Sequence, residues 1–241
     1  MSALRLAATG DLHVDGKRAG AWRAAFAPLA DEADLLLLAG DLTQNGTREQ
    51  ARALVDELAE ISLPIVAVLG NHDLDAREED DVRRILERAE VCVLEGSHVR
   101  LSIGGRSVGI AGTTGFGGGF ANARASDFGE PEMKAFAART RGMSERLCAA
   151  LAALDADVRI ALTHYAPVAD TLMGERRELY PFLGSEELGQ AIDTAGADFA
   201  LHGHAHYGCE EGVTHGGVAV RNVAQPVLGA PYRVFAFSED K

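Results

Sequence analysis

Short apolar runs recur along the chain, separated by stretches in which apolar residues return every three or four positions. The runs 4–8 (LRLAA), 35–39 (LLLLA), 65–69 (IVAVL), 158–164 (VRIALTH) and 198–202 (DFALH) have strand length. The stretches 20–33, 47–60, 78–89, 132–153 and 185–195 carry the helical period. A nearly continuous apolar strand is one buried on both faces. Its alternation with amphipathic helices predicts βαβ units and a mostly parallel sheet. Residues 99–112 predict a hairpin turning at Gly104-Gly105, and 217–223 and 232–237 read as further strands. Two irregular segments interrupt the rhythm: the glycine-rich 113–131, and 166–184. Loops of such length in compact domains are often functional. With no linker and no repeat, the pattern predicts one α/β domain over residues 1–241, with two strand-rich layers.

Composition changes this picture only modestly. A 47% hydrophobic content with 6% aromatics suits an aliphatic core of this kind. The net charge of −13 argues against a broad nucleic-acid-binding surface, which must neutralise phosphates with Lys and Arg. A small phosphorylated substrate at a local positive site stays compatible with it. Cys92, Cys148 and Cys209 are an odd number without C-x-x-C spacing, as expected of a reduced chain without disulfides. No run reaches the roughly 18 apolar residues of a membrane helix, and residues 1–13 lack a signal-peptide layout. The expectation is a cytoplasmic protein; its oligomeric state is not fixed by the sequence.

The chemistry is concentrated where the predicted strands end. The first ends in "GDLH" with Asp11 and His13, the second in "GDLT" with Asp41, the third in "GNHD" with Asn71, His72 and Asp73. A later strand ends in "THY" with His164, and another runs into "HGHAH" with His202, His204 and His206. Each piece alone reads as turn chemistry or a core histidine. Together they place carboxylates, an amide and imidazoles at the carboxyl ends of five strands, where open α/β sheets hold ligands. Such donors suit divalent Mn, Fe, Zn or Ni.

In these motifs the sequence resembles the calcineurin-like metallophosphoesterase superfamily, whose pattern is D-x-H, G-D, G-N-H-[DE], a later H, and G-H-x-H. The resemblance spans residues 11–206. It implies a double-layered β-sandwich flanked by helices and a two-metal hydrolase of phosphate esters. It assigns Asp11, His13 and His206 to one metal, Asn71, His164 and His204 to the second, and Asp41 to both. Two such ions generate hydroxide at neutral pH and stabilise the attacking and departing oxygens. His72 is then left to the substrate, as proton donor to the leaving oxygen or holder of a phosphate oxygen. Asp73 is a candidate for orienting that turn, and His202 is expected to be a buried residue rather than a ligand.

Departures narrow the class. The arginines that the Ser/Thr phosphatase branch carries near G-D and G-N-H are missing. Val14 stands where purple acid phosphatases have a tyrosine ligand. The chain is more similar to compact bacterial-type phosphodiesterases related to class III cyclic-nucleotide phosphodiesterases. The expected activity is therefore a phosphodiesterase, with a phosphomonoesterase as the alternative and a non-catalytic metal-binding scaffold as the third reading. Substrate choice is expected to lie in 113–131, through glycine amides, and in 166–184, through Arg176, Arg177, Tyr180 and Phe182.

Overall fold

The computed structural model describes residues 3–238. The first half runs β1 (Leu4–Thr9), α1 (Ala21–Phe26), α2 (Leu29–Glu32), β2 (Leu35–Ala39), α3 (Arg48–Leu58), β3 (Ile65–Val68), α4 (Glu79–Arg88) and β4 (Val91–Val93). A hairpin of β5 (Ser97–Ile103) and β6 (Arg106–Thr113) follows, then the two-residue strands β7 (Gly119–Phe120) and β8 (Ala123–Arg124). The second half contains α5 (Pro131–Ala152), β9 (Val158–Thr163), α6 (Tyr180–Leu183), α7 (Glu186–Ala195), β10 (Phe199–His202), β11 (Glu211–Val213), β12 (Ala219–Asn222), α8 (Gln225–Leu228) and β13 (Arg233–Phe237).

Two main sheets form, with orders β13-β1-β2-β3-β4 and β11-β12-β10-β9-β6-β5. Strands β1 to β4 are parallel, as are β6, β9, β10 and β12; the edge strands β13, β5 and β11 pair antiparallel. The period of two along a strand explains how the layers stack. Leu35, Leu37 and Ala39 of β2 pack into one cluster with Val158, Ile160 and Leu162 of β9, filling the space between the sheets. Leu36 and Leu38 point the other way, onto Leu54 of α3 and Leu86 of α4. Ala161 and Ala200 face outward from the second sheet onto Leu147 and Leu151 of α5 and Ile192 of α7. Leucine has no intrinsic strand preference. It is burial on both faces that makes "LLLLA" a strand. The sandwich with flanking helices is thus the architecture expected from the motifs.

Local differences have local causes. The helix expected over 20–33 is broken into α1 and α2 at Pro28, which has no N–H to donate and clashes with the preceding turn. The hairpin turns where expected, with φ of 58° at Gly104 and 84° at Gly105. Strand β4 is three residues long, too short for its alternation to register in the sequence. None of the helices among the described residues is long and apolar enough to cross a membrane.

Candidate metal centre

The loops after β1, β2 and β3 in one sheet meet the loops after β9 and β10 in the other. Their backbones are unusual: Asp11, His13, Asp41 and His204 have φ of 59°, 45°, 50° and 70°, in the left-handed region that L-residues with side chains rarely adopt. Such conformations persist only when the surroundings impose them, and they cluster at functional sites. Here the Asp11 N–H donates to the Gly40 carbonyl at 2.9 Å and the His13 N–H to the Asp41 carbonyl at 3.0 Å. The loops pack so closely that a Cβ on Gly70 would lie 2.1 Å from Asp41 Oδ1. One on Gly203 would lie 2.4 Å from Asp11 Oδ2. Only glycine allows those approaches.

Eight of the sequence-predicted residues converge. His206 Nε2 lies 2.8 Å from Asp11 Oδ1, and the His204 N–H donates to both Asp11 oxygens at 3.1 and 3.0 Å. His164 Nε2 is 3.0 Å from Asn71 Oδ1 and 3.3 Å from Asp41 Oδ1. Asp41 Oδ2 is 3.9 Å from His13 Nε2 and 4.0 Å from His72 Nε2. Among the described residues, three sets have potential ligand atoms within 4.8 Å of one another: Asp11, His13, His206; His13, Asp41, His72; and Asp41, His164, His204. Asp41 belongs to two of them, so it faces both halves of the site. His72 joins one, so the structure brings it beside the ligand positions rather than away from them.

Hydrogen bonds on the far side of the rings settle which nitrogens point inward, because a carbonyl only accepts. His164 donates from Nδ1 to the Ala39 carbonyl at 2.8 Å, and His72 from Nδ1 to the Gln44 carbonyl at 2.8 Å. Both turn Nε2 to the site. His204 donates from Nε2 to the Phe182 carbonyl at 3.2 Å, which leaves Nδ1 as its inward lone pair. His13 has no hydrogen-bond partner among the described residues on either ring nitrogen, although both atoms are buried. A buried imidazole with neither nitrogen partnered, set among carboxylates, is suited to a cation, so the donor set fits divalent metal.

Protonation follows the same geometry. Burial opposes ionisation of Asp41, but the facing His164 and the His72 N–H outweigh it and hold the carboxyl below the usual range. Burial likewise opposes charge on His164, yet Asp41 raises its pKa to about 9. Burial dominates at His13 and lowers it. It also dominates at His204, lowered to about 4.

The surrounding residues have structural explanations. Asp73 is fully buried and accepts from four donors: Thr43 N and Oγ1 at 2.8 and 2.7 Å, Leu42 N at 3.1 Å and Gly70 N at 2.8 Å. It ties the Asp41 loop to the Asn71 turn. His202 is buried with its pKa lowered to about 4. Its Nδ1 donates to the Gly203 carbonyl at 2.7 Å, and its Nε2 accepts from Thr171 Oγ1 at 2.8 Å. Both nitrogens are therefore engaged, and neither is turned to the site.

Three of the glycine amides of 113–131 are engaged too. Gly118 and Gly119 donate to the Pro181 and Gly184 carbonyls, and Gly115 to Thr113 Oγ1. That loop packs on 166–184 instead of offering a phosphate cradle. Tyr180 is tied to the Leu172 carbonyl, Arg176 faces Glu178 at 3.8 Å, and Phe182 is exposed beside His204. Sequence reasoning missed Tyr165, whose ring lies 4.4 Å from that of His204; its one signal was its place next to His164.

Two parallel-centred sheets thus carry at their strand ends an Asp/Asn/His constellation that could hold metal. The sequence matches the calcineurin-like phosphoesterase family over residues 4–208, and the chain belongs to that family. Solved structures share the fold at low identity. Phosphopantetheinyl hydrolase from Mycobacterium tuberculosis is 17% identical with a TM-score of 0.73, over 99% of this chain and 97% of that one. The protein TT1561 of Thermus thermophilus is 18% identical with a TM-score of 0.59, over 98% of this chain and 99% of that one. A purple acid phosphatase from yellow lupin seeds is 15% identical with a TM-score of 0.53, over 100% of this chain and 46% of that one. No curated protein matches the sequence closely enough to add to these.

Proposed function

We propose that the chain is a dinuclear-metal phosphodiesterase acting on small phosphodiesters. One ion would be held by Asp11, His13 and His206, the other by Asn71, His164 and His204, with Asp41 shared. The observation that carries this reading is the run of three overlapping donor sets, Asp11–His13–His206, His13–Asp41–His72 and Asp41–His164–His204, with His13 buried and unpartnered among the described residues. Bound divalent ions supply an activated water at neutral pH and neutralise charge on the phosphoryl oxygens. The protein's own part is positional. Ala39 and Phe182 carbonyls fix the tautomers of His164 and His204, and Asp73 holds the Asp41 and Asn71 loops in register. His72 sits beside Asp41 with Nε2 facing the site; as an imidazolium whose Nδ1–H is held by the Gln44 carbonyl, it would give its Nε2 proton to the departing oxygen of the ester. Two carboxylates among seven ligands leave the loaded centre positive, which attracts a phosphate despite the acidic surface.

The test compares bis(p-nitrophenyl) phosphate with p-nitrophenyl phosphate, using Mn²⁺-loaded and metal-stripped protein. Metal-dependent turnover with the diester favoured in kcat/KM is the expected result. Preference for the monoester would convert the reading to a phosphomonoesterase. No turnover of either, with two metals bound, would leave a metal-binding scaffold.

A further inference from the structure

A groove of about 740 Å³ opens at His13 and runs between residues 12–23 and α3. Ligand sites commonly have about 300–1,000 Å³. Its lining includes Arg18 and Trp22, neither of which stands out in the sequence. Trp22 stacks one side of its indole on Phe26, with centroids 5.4 Å apart and planes at 30°, so it is a fixed wall. The other charges of the groove are mostly committed. The Glu57 carboxylate accepts the N–H groups of Gly20, Trp22 and Arg23, which closes the start of α1 to any other anion. Arg23 donates to the Asp56 carbonyl and pairs with Glu60, and Lys17 pairs with Asp15 at 3.1 Å. The Arg18 guanidinium is a groove cation without a hydrogen bond or ion pair among the described residues. Asp56 is the opposing charge there, a carboxylate likewise without a partner among the described residues.

We infer that this groove receives the organic arm of the substrate, with Arg18 gripping a second anionic group and Trp22 stacking on a planar ring. The inference rests on the phosphoesterase reading for the reacting phosphate, which would lie at the metals beside His13. A free guanidinium recognises a phosphate or carboxylate, and a fixed indole face recognises a flat ring. A nucleoside bearing two phosphates combines these features. The substrate class is thus a phosphodiester of a nucleotide that carries a further phosphate. Specificity is assigned to the groove rather than to 113–131 and 166–184.

Trp22 is the sole tryptophan, so its fluorescence reports on the groove directly. Adenosine 3′,5′-bisphosphate and adenosine 5′-monophosphate are titrated into Mn²⁺-loaded and metal-free protein, with calorimetry alongside. Both should quench Trp22, and the bisphosphate should bind the loaded protein at least about 10-fold more tightly, as a second charged contact implies. Arg18→Gln should weaken bisphosphate binding by about 10–100-fold, as for a charged hydrogen-bonding contact, and erase the preference. Asp56→Asn should strengthen it. The same preference in Arg18→Gln, its loss in Arg176→Gln instead, or calorimetric binding without quenching would overturn the inference. Failure of the phosphoesterase reading shows separately, as absent hydrolysis of both p-nitrophenyl esters.

Discussion

Asp73→Asn is the substitution that most directly tests how the site is held together. The carboxylate accepts four donors, and they divide evenly: Thr43 N and Oγ1 on one oxygen, Leu42 N and Gly70 N on the other. An amide of the same shape must place its NH₂ against one pair. The less costly choice is the Thr43 side, where the hydroxyl can rotate to accept and only the Thr43 N–H loses its partner. One orphaned buried N–H costs about 1–3 kcal/mol, and the remaining bonds lose the charge that strengthened them. The sum is about 2–4 kcal/mol, or roughly 5–15 °C in Tm for a chain of this size. Thermal and urea unfolding of metal-free protein measure it, with the nearby Asp75→Asn as control. A refuting result is well defined. Burial and the neighbouring Asp41 push the Asp73 pKa up, against the pull of Gly70 and Thr43. Were the carboxyl protonated in the fold, asparagine would remove no charge and the cost would shrink. An unchanged Tm would show that, and would end the account of Asp73 as a charged clamp.

Two further predictions concern protons. His72→Ala should retain both metals yet slow an alkyl phosphodiester by about 10²–10⁴, and a p-nitrophenyl diester much less, since that leaving group needs no proton. Metal analysis of the variant decides the matter, because loss of an ion would make His72 a ligand through its contact with Asp41. In metal-free protein, His164 is raised from 6.5 to about 9, so its stabilising contribution is complete below pH 6.5 and is lost as pH rises through 9. Tm should therefore fall over that alkaline window, by an amount reflecting on the order of 3 kcal/mol, and metal loading should abolish the fall. His202 and His204, lowered to about 4, work in the opposite sense, and stability is lost as pH falls from 6.5 towards 4. A flat alkaline profile in metal-free protein would contradict the Asp41–His164 pairing.

The five ligand loops were legible because each is a short motif attached to a recognisable apolar strand, and strands of a parallel sheet deliver their ends to one edge. His202 could be separated from His204 and His206 because it lies outside the G-H-x-H motif, and the structure supplies a physical reason. It still belongs to β10, whose side chains are buried on both faces, whereas the other two follow the Gly203 turn. The break at Pro28 was readable from proline alone and was overridden by the helical period on either side. What could not be read depends on partners distant in sequence. The amides of Gly118 and Gly119 look free until Pro181 and Gly184 fold against them. The start of α1 looks like an anion site until Glu57, more than thirty residues later, fills it. That carboxylate helps dock α1 on α3 and so shapes the groove.

The arrangement of the site explains why its strained backbone is tolerable. Asp11, His13, Asp41 and Asn71 come from the first sheet, whereas His164, His204 and His206 come from the second. Each candidate ligand set except His13–Asp41–His72 therefore contains donors from both sheets. The left-handed residues cost about 1–3 kcal/mol each, and the loops carrying them are braced by bonds between sheets as well as within them. The His204 N–H reaches Asp11, and the His164 ring reaches the Ala39 carbonyl. The inter-sheet core of Leu37, Val68, Ile160 and Leu201 fixes the distance across which those contacts are made. Cations bound at such a seam would link the two sheets, and metal affinity and sheet docking would become one equilibrium. The donors are then arranged before any substrate arrives, and the strain is sustained by the packing that also aims them.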